Sequence, residues 1–192
     1  MNVDFKLPSD AKSGPNCGVT AVAVAAGVTF AEAWSTIKKI GRYGARWRGV
    51  TYPAEQTRAL DQLGVKYERV WLKDLGVGRR RVTLKKLADK YLARQTLYLV
   101  TTTGHIQSVF IDCAGLAWVL DQGGRKPVSE HWGKRKMVTR IIRVDVKVNE
   151  DPEDVAFYSN GGAEGRPMTA DAENERPLTI GLPLFDFFGA AD

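Results

Sequence analysis

Two cysteines and two histidines are all that 192 residues contain. Two cysteines, Cys17 and Cys113, do not make a disulfide framework, and so few histidines do not supply a zinc cluster. The expectation is a reduced cytoplasmic protein with two free thiols and no metal or cofactor. No apolar run approaches the roughly 20 residues of a membrane span. The opening lacks a charged start followed by a long apolar stretch, so no secretory leader is expected. Acidic residues are scarce in the first 148 positions, with 12 acids against 26 bases, a net +14. Residues 149–192 reverse this, with ten acids against two bases, a net −8. A basic body with an acidic tail points to an anionic partner for the body, or to a tail that folds back on it.

What is present has the length and the 44% hydrophobic content of one domain with a real core. Punctuation by Pro8, Gly14 and Pro15 predicts an extended arm. A helix then runs from Cys17 to Ala26, closed by Gly27. Thr29 and Glu32 have capping-box spacing, so a second helix is expected from Phe30 to about Ile40. Pro53 opens a third helix that ends at Gly64. Residues 65–71 alternate as a strand, and Thr83 caps a fourth helix. The period then changes. T-L-Y-L-V-T-T, H-I-Q-S-V-F-I-D and L-A-W-V-L-D read as three strands, with Ala114 and Gly115 turning between the last two. Residues 137–148 alternate again, as one or two strands. Helices packed on a later antiparallel sheet make an α+β plan over residues 1–148. Residues 149–192, rich in Gly, Pro, Ala and acids, are expected to form an irregular extension.

The chemistry is concentrated in few residues. Cys17 follows S-G-P-N at a helix start, where free amides and the helix dipole stabilise a thiolate and can hold an oxyanion. A nucleophile needs a base, and the base an orienter. His105 opens one strand and Asp121 closes the next. A hairpin turning at Ala114 and Gly115 brings both to the same end of adjacent strands. Cys17, His105 and Asp121 can meet there as nucleophile, base and orienter. Cys113, beside the hairpin turn, reads as structural. His131 reads as a surface or packing residue, with Trp132 packed beside it.

N-C-G-V-T-A-V-A-V-A-A-G, G-H-I-Q-S-V-F-I-D and W-V-L-D-Q-G-G, in that order, resemble the papain-like cysteine peptidase superfamily. Its compact members are nearest in look: the peptidases that process bacteriocin leaders, and small papain-like proteins of bacteriophages and bacteria. The resemblance covers residues 13–145. It implies a papain-like fold and a thiol protease acting on a protein or peptide amide through Cys17, His105 and Asp121. It also implies a source in a bacterium or bacteriophage, and a place in the host cytoplasm or the virion. Active members carry a glutamine shortly before the cysteine to complete the oxyanion hole. Here that window holds Asp10, Ala11, Lys12 and Ser13. Ser13 or Asn16 can donate in its place, whereas Asp10 would repel an oxyanion. Transglutaminases and arylamine acetyltransferases use the same order of Cys, His and Asp, so acyl transfer stays open beside hydrolysis.

A second class of function rests on other residues. Arg46, Trp47 and Arg48 form one basic cluster, and Arg79, Arg80 and Arg81 another. Arginine interleaved with an aromatic suits phosphates and base stacking, so nucleic acid or an acidic peptide is a candidate partner. The tail end G-L-P-L-F resembles the short peptide that binds the bacterial sliding clamp, with Gly181 in place of its glutamine. Leu182, Leu184 and Phe185 would be the anchors in a hydrophobic groove. On that reading the domain is an inactive adaptor for nucleic acid or for a replication or virion partner.

Overall fold

A computed structural model describes residues 5–77 and 81–145. Arg79 and Arg80, the acidic extension and the anchors Leu182, Leu184 and Phe185 lie outside them. The architecture is α+β, with four helices and a six-stranded antiparallel sheet among the described residues. Helices α1 (Cys17–Ala26), α2 (Phe30–Ile40) and α3 (Pro53–Gln62) come first. Strand β1 (Tyr67–Val70) and helix α4 (Leu84–Lys90) precede β2 (Thr96–Thr102), β3 (His105–Ile111), β4 (Ala117–Asp121), β5 (Gly124–Pro127) and β6 (Val138–Val144). The strand order is β1-β6-β2-β3-β4-β5.

The pleat sorts the core into two layers. On β2, Leu97 and Leu99 join the cluster under α1, α2 and α3, while Tyr98 and Val100 join the cluster under α4. Both faces are therefore covered, and the central strands read as nearly continuous apolar runs. Helix α1 has no polar face, because Val19, Val22 and Ala23 are each wholly buried against the sheet and its neighbouring helices. Each of the two valines contributes about 1.5–3 kcal/mol by leaving water.

The helix signals act as expected. Gly27 closes α1 at φ 65, and the Thr29 hydroxyl accepts the Glu32 amide at the start of α2. Asp10 adds a long-range cap: its carboxylate accepts the amides of Phe30 at 2.8 Å and Ala31 at 2.9 Å. Those two bonds, followed by burial acting the other way, leave its pKa lowered. The carboxylate expected to repel an oxyanion is thus engaged at the start of α2. Cys113, read as structural, is an exposed free thiol beside the β3–β4 turn. No single described helix is long and apolar enough to cross a membrane.

Candidate active site

Helix α1 meets the sheet where β3 begins and β4 ends. Asn16 is its N-cap, and Cys17 occupies the first helical position. Asn16 carries no side-chain cap bond. Its main-chain carbonyl accepts the amides of Val19 at 2.9 Å and Thr20 at 3.1 Å, while its side-chain Oδ1 accepts the amide of Gln122. The residue after Asp121 is thus tied to the residue before Cys17. Ser13 stays exposed in the turn ahead of the helix.

His105 and Asp121 come together as the hairpin requires. His105 Nε2 lies 3.2 Å from Asp121 Oδ2. A carboxylate only accepts, so Nε2 carries the proton and Nδ1 is left to face the thiol of Cys17. Burial works against the thiolate. The hydrogen bond with His105, the Ile106 amide and the charge of the imidazolium outweigh it and hold the Cys17 pKa below the usual thiol value. Burial also works against a charged His105, but the bonds to Asp121 and Cys17 dominate and raise it to about 9. Asp121 is buried too, yet donors from His105, His131 and the Gly123 amide keep it well below the usual carboxylate range. The arrangement favours the thiolate of Cys17 and the imidazolium of His105, with a carboxylate behind them.

His131 is the member that sequence reasoning missed. It is neither a surface residue nor a mere packing residue: it is 2% exposed, and its Nε2 lies 2.9 Å from Asp121 Oδ2. Nothing periodic marks it, because it sits in the irregular segment S-E-H-W-G-K. The segment is nonetheless fixed. The amides of Leu84 and Lys85, at the start of α4, donate to the carbonyls of Lys136 and Lys134, each at 3.0 Å. The Thr103 amide donates to Met137 O at 3.2 Å, which fastens the same segment to the β2–β3 turn. Trp132, 62% exposed, flanks His105 with ring centroids 5.0 Å apart, and Lys136 Nζ stands 4.2 Å from the indole.

His105, Asp121 and His131 offer ligand atoms within 4.8 Å of one another, so a metal has to be considered. The donor chemistry does not suit one. The Gly133 amide donates to His131 Nδ1 at 3.1 Å, so the ring proton sits on Nε2, the atom a metal would need. A metal-ligating histidine instead donates its other N–H outward, and here that would set donor against donor.

The basic cluster of residues 46–48 divides by side chain. Arg46 and Arg48 are exposed, as is Arg81 in the second cluster. Trp47 stacks on Tyr43 at 4.6 Å, lies 4.3 Å from Trp34, and donates its Nε1–H to Val50 O at 2.8 Å. Its ring fastens the loop. A cleft of about 720 Å³ lies at the C-terminal end of α1 between Leu7, Val24, Leu63 and Val144, and includes none of Cys17, His105 and Asp121. Compared with protein-family models, curated proteins and solved structures, the chain has no match.

Proposed function

We propose that this protein is a papain-like, cysteine-dependent hydrolase of protein or peptide amide bonds. The observation that carries the reading is the alignment of Cys17, at the mouth of a buried helix, with His105 and Asp121 at the adjoining strand ends. The Cys17 thiolate attacks the amide carbonyl carbon. The Cys17 amide and the Asn16 side chain receive the oxyanion. The tetrahedral intermediate collapses as His105 Nδ1–H protonates the departing amine, leaving a thioester. His105 then takes a proton from water, whose oxygen attacks the thioester. The second tetrahedral intermediate collapses with cleavage of the C–S bond, the acid leaves, and the expelled Cys17 thiolate is paired again with His105, which keeps the proton taken from water. Asp121 holds one tautomer throughout and is not itself protonated.

Peptide recognition is supported by the rim. Thr51 lies against Gly18, and its neighbours Val50 and Tyr52 are 53% and 64% exposed. Trp132 stands exposed beside His105. An exposed indole thus borders the imidazole, where a substrate's side chain would be received.

The test is an unbiased digestion. Wild type and Cys17→Ala are incubated with a denatured proteome, and new N-termini are mapped by mass spectrometry. The reading expects termini with a shared flanking pattern in wild type and none with Cys17→Ala. Termini that persist in Cys17→Ala, or that are absent from both, overturn it.

A further inference from the structure

We propose that His131 is a positioning residue for this site: a neutral Nε2–H imidazole that holds the Asp121 carboxylate in the orientation His105 requires. The proposal rests on the hydrolase reading for the reaction it serves, but its structural claim stands on separate atoms.

Both ends of the ring set the tautomer. At one end the Gly133 amide, which can only donate, points at Nδ1 from 3.1 Å. At the other, Nε2 lies 2.9 Å from a carboxylate oxygen, which can only accept. The proton is therefore on Nε2 and the ring is uncharged. Its side chain is 2% exposed, so no water competes for either bond. His131 is thereby excluded as a second base, since its only free lone pair is occupied by a main-chain amide.

The consequence falls on Asp121. Its Oδ2 accepts from both imidazoles, and its Oδ1 accepts the Gly123 amide at 2.8 Å. A carboxylate with a single partner can rotate about its last bond and lose His105. Donors on both oxygens fix its plane, and the one on His131 belongs to a segment bonded to α4 and to the β2–β3 turn. The order is Cys17, His105, Asp121, His131: each member fixes the one before it, and the last is fixed by main chain.

The experiment has two arms on the full-length protein. In the first, ¹⁵N imidazole shifts are recorded at pH 7.5, where His131 is expected as the neutral Nε2–H tautomer. In the second, iodoacetamide alkylation of Cys17 is timed at pH 6.5 in wild type, His131→Gln and His131→Phe, with folding checked by circular dichroism. Glutamine keeps an N–H near the Nε2 position and phenylalanine keeps only the bulk. The Phe variant is expected to react about tenfold more slowly and the Gln variant to stay within about threefold of wild type, as befits one hydrogen bond to a charged group. A charged or Nδ1–H His131 overturns the proposal. So does a folded Phe variant at the wild-type rate, or a Gln variant that is as slow as Phe. If the Phe variant does not fold, the Gln variant and the tautomer decide. If wild-type Cys17 reacts no faster than Cys113, the hydrolase reading has failed, and the tautomer still decides whether His131 holds Asp121.

Discussion

Gly18 and Thr51 approach so closely that no side chain fits between them: a Cβ on Gly18 would stand 1.9 Å from Thr51 Oγ1 and 2.8 Å from Gln56 Nε2. Those two polar groups are bonded to each other at 2.9 Å. The glycine after Cys17 is therefore there for contact, letting the first turn of α1 press against the approach to α3. Gly18→Ala adds up to about 1 kcal/mol of helix propensity but forces the Thr51–Gln56 pair apart, at a cost of about 1–3 kcal/mol. A lowered Tm is the expected outcome in a thermal melt, with slower alkylation of Cys17 because its helix start has shifted.

Asp121 links stability to pH. Its folded-state pKa is held down, so its contribution is fully present above about pH 4 and is lost as pH falls through the folded value. Asp121→Asn removes the ion. The gap in Tm between wild type and Asp121→Asn should be widest near neutrality and should begin to narrow only as pH falls below about 4. Asp121→Ala goes further and strands the buried His131 N–H, an added cost of about 1–3 kcal/mol. A pH-independent gap would mean that Asp121 is not ionised in the folded protein.

Asn16 separates oxyanion support from thiol activation. It makes no side-chain cap bond, so Asn16→Ala costs little in capping. It does remove an amide from the mouth of α1. Turnover of any peptide substrate found by proteome digestion should fall by about 100-fold, as for the loss of one oxyanion donor. The pH profile of Cys17 alkylation should stay near that of wild type. Parallel loss of both would place Asn16 in the support of the thiol itself.

Where the chain's signals are local, sequence and structure agree. The first turn and glycine stop of α1, the Thr29 cap and the hairpin that aligns His105 with Asp121 depend on a few adjacent residues. The parts not legible are long-range or unpatterned. Strand β5 is G-R-K-P, short and polar, and forms because β4 offers it an edge. Asp10 caps a helix twenty residues away. His131 reaches Asp121 from an irregular segment whose path is set by α4 and the β2–β3 turn, so neither period nor motif could mark it. Residues 137–148 were expected as one or two strands, and the described part forms β6 alone.

The central claim is that Cys17 is an activated thiol, and its alkylation as a function of pH tests that most directly. Iodoacetamide incorporation is read separately at Cys17 and Cys113 by mass spectrometry, in wild type and His105→Ala. The His105 pKa is raised to about 9 by its bonds to Asp121 and Cys17, and the imidazole in turn holds the Cys17 thiol below its ordinary value, so the two groups favour each other's charged forms. The account predicts that Cys17 reacts well below pH 7 and that His105→Ala moves its titration upward. A Cys17 that titrates near pH 8.5 in both proteins, as an unassisted thiol does, would contradict it and leave the Cys17, His105 and Asp121 cluster without a nucleophile.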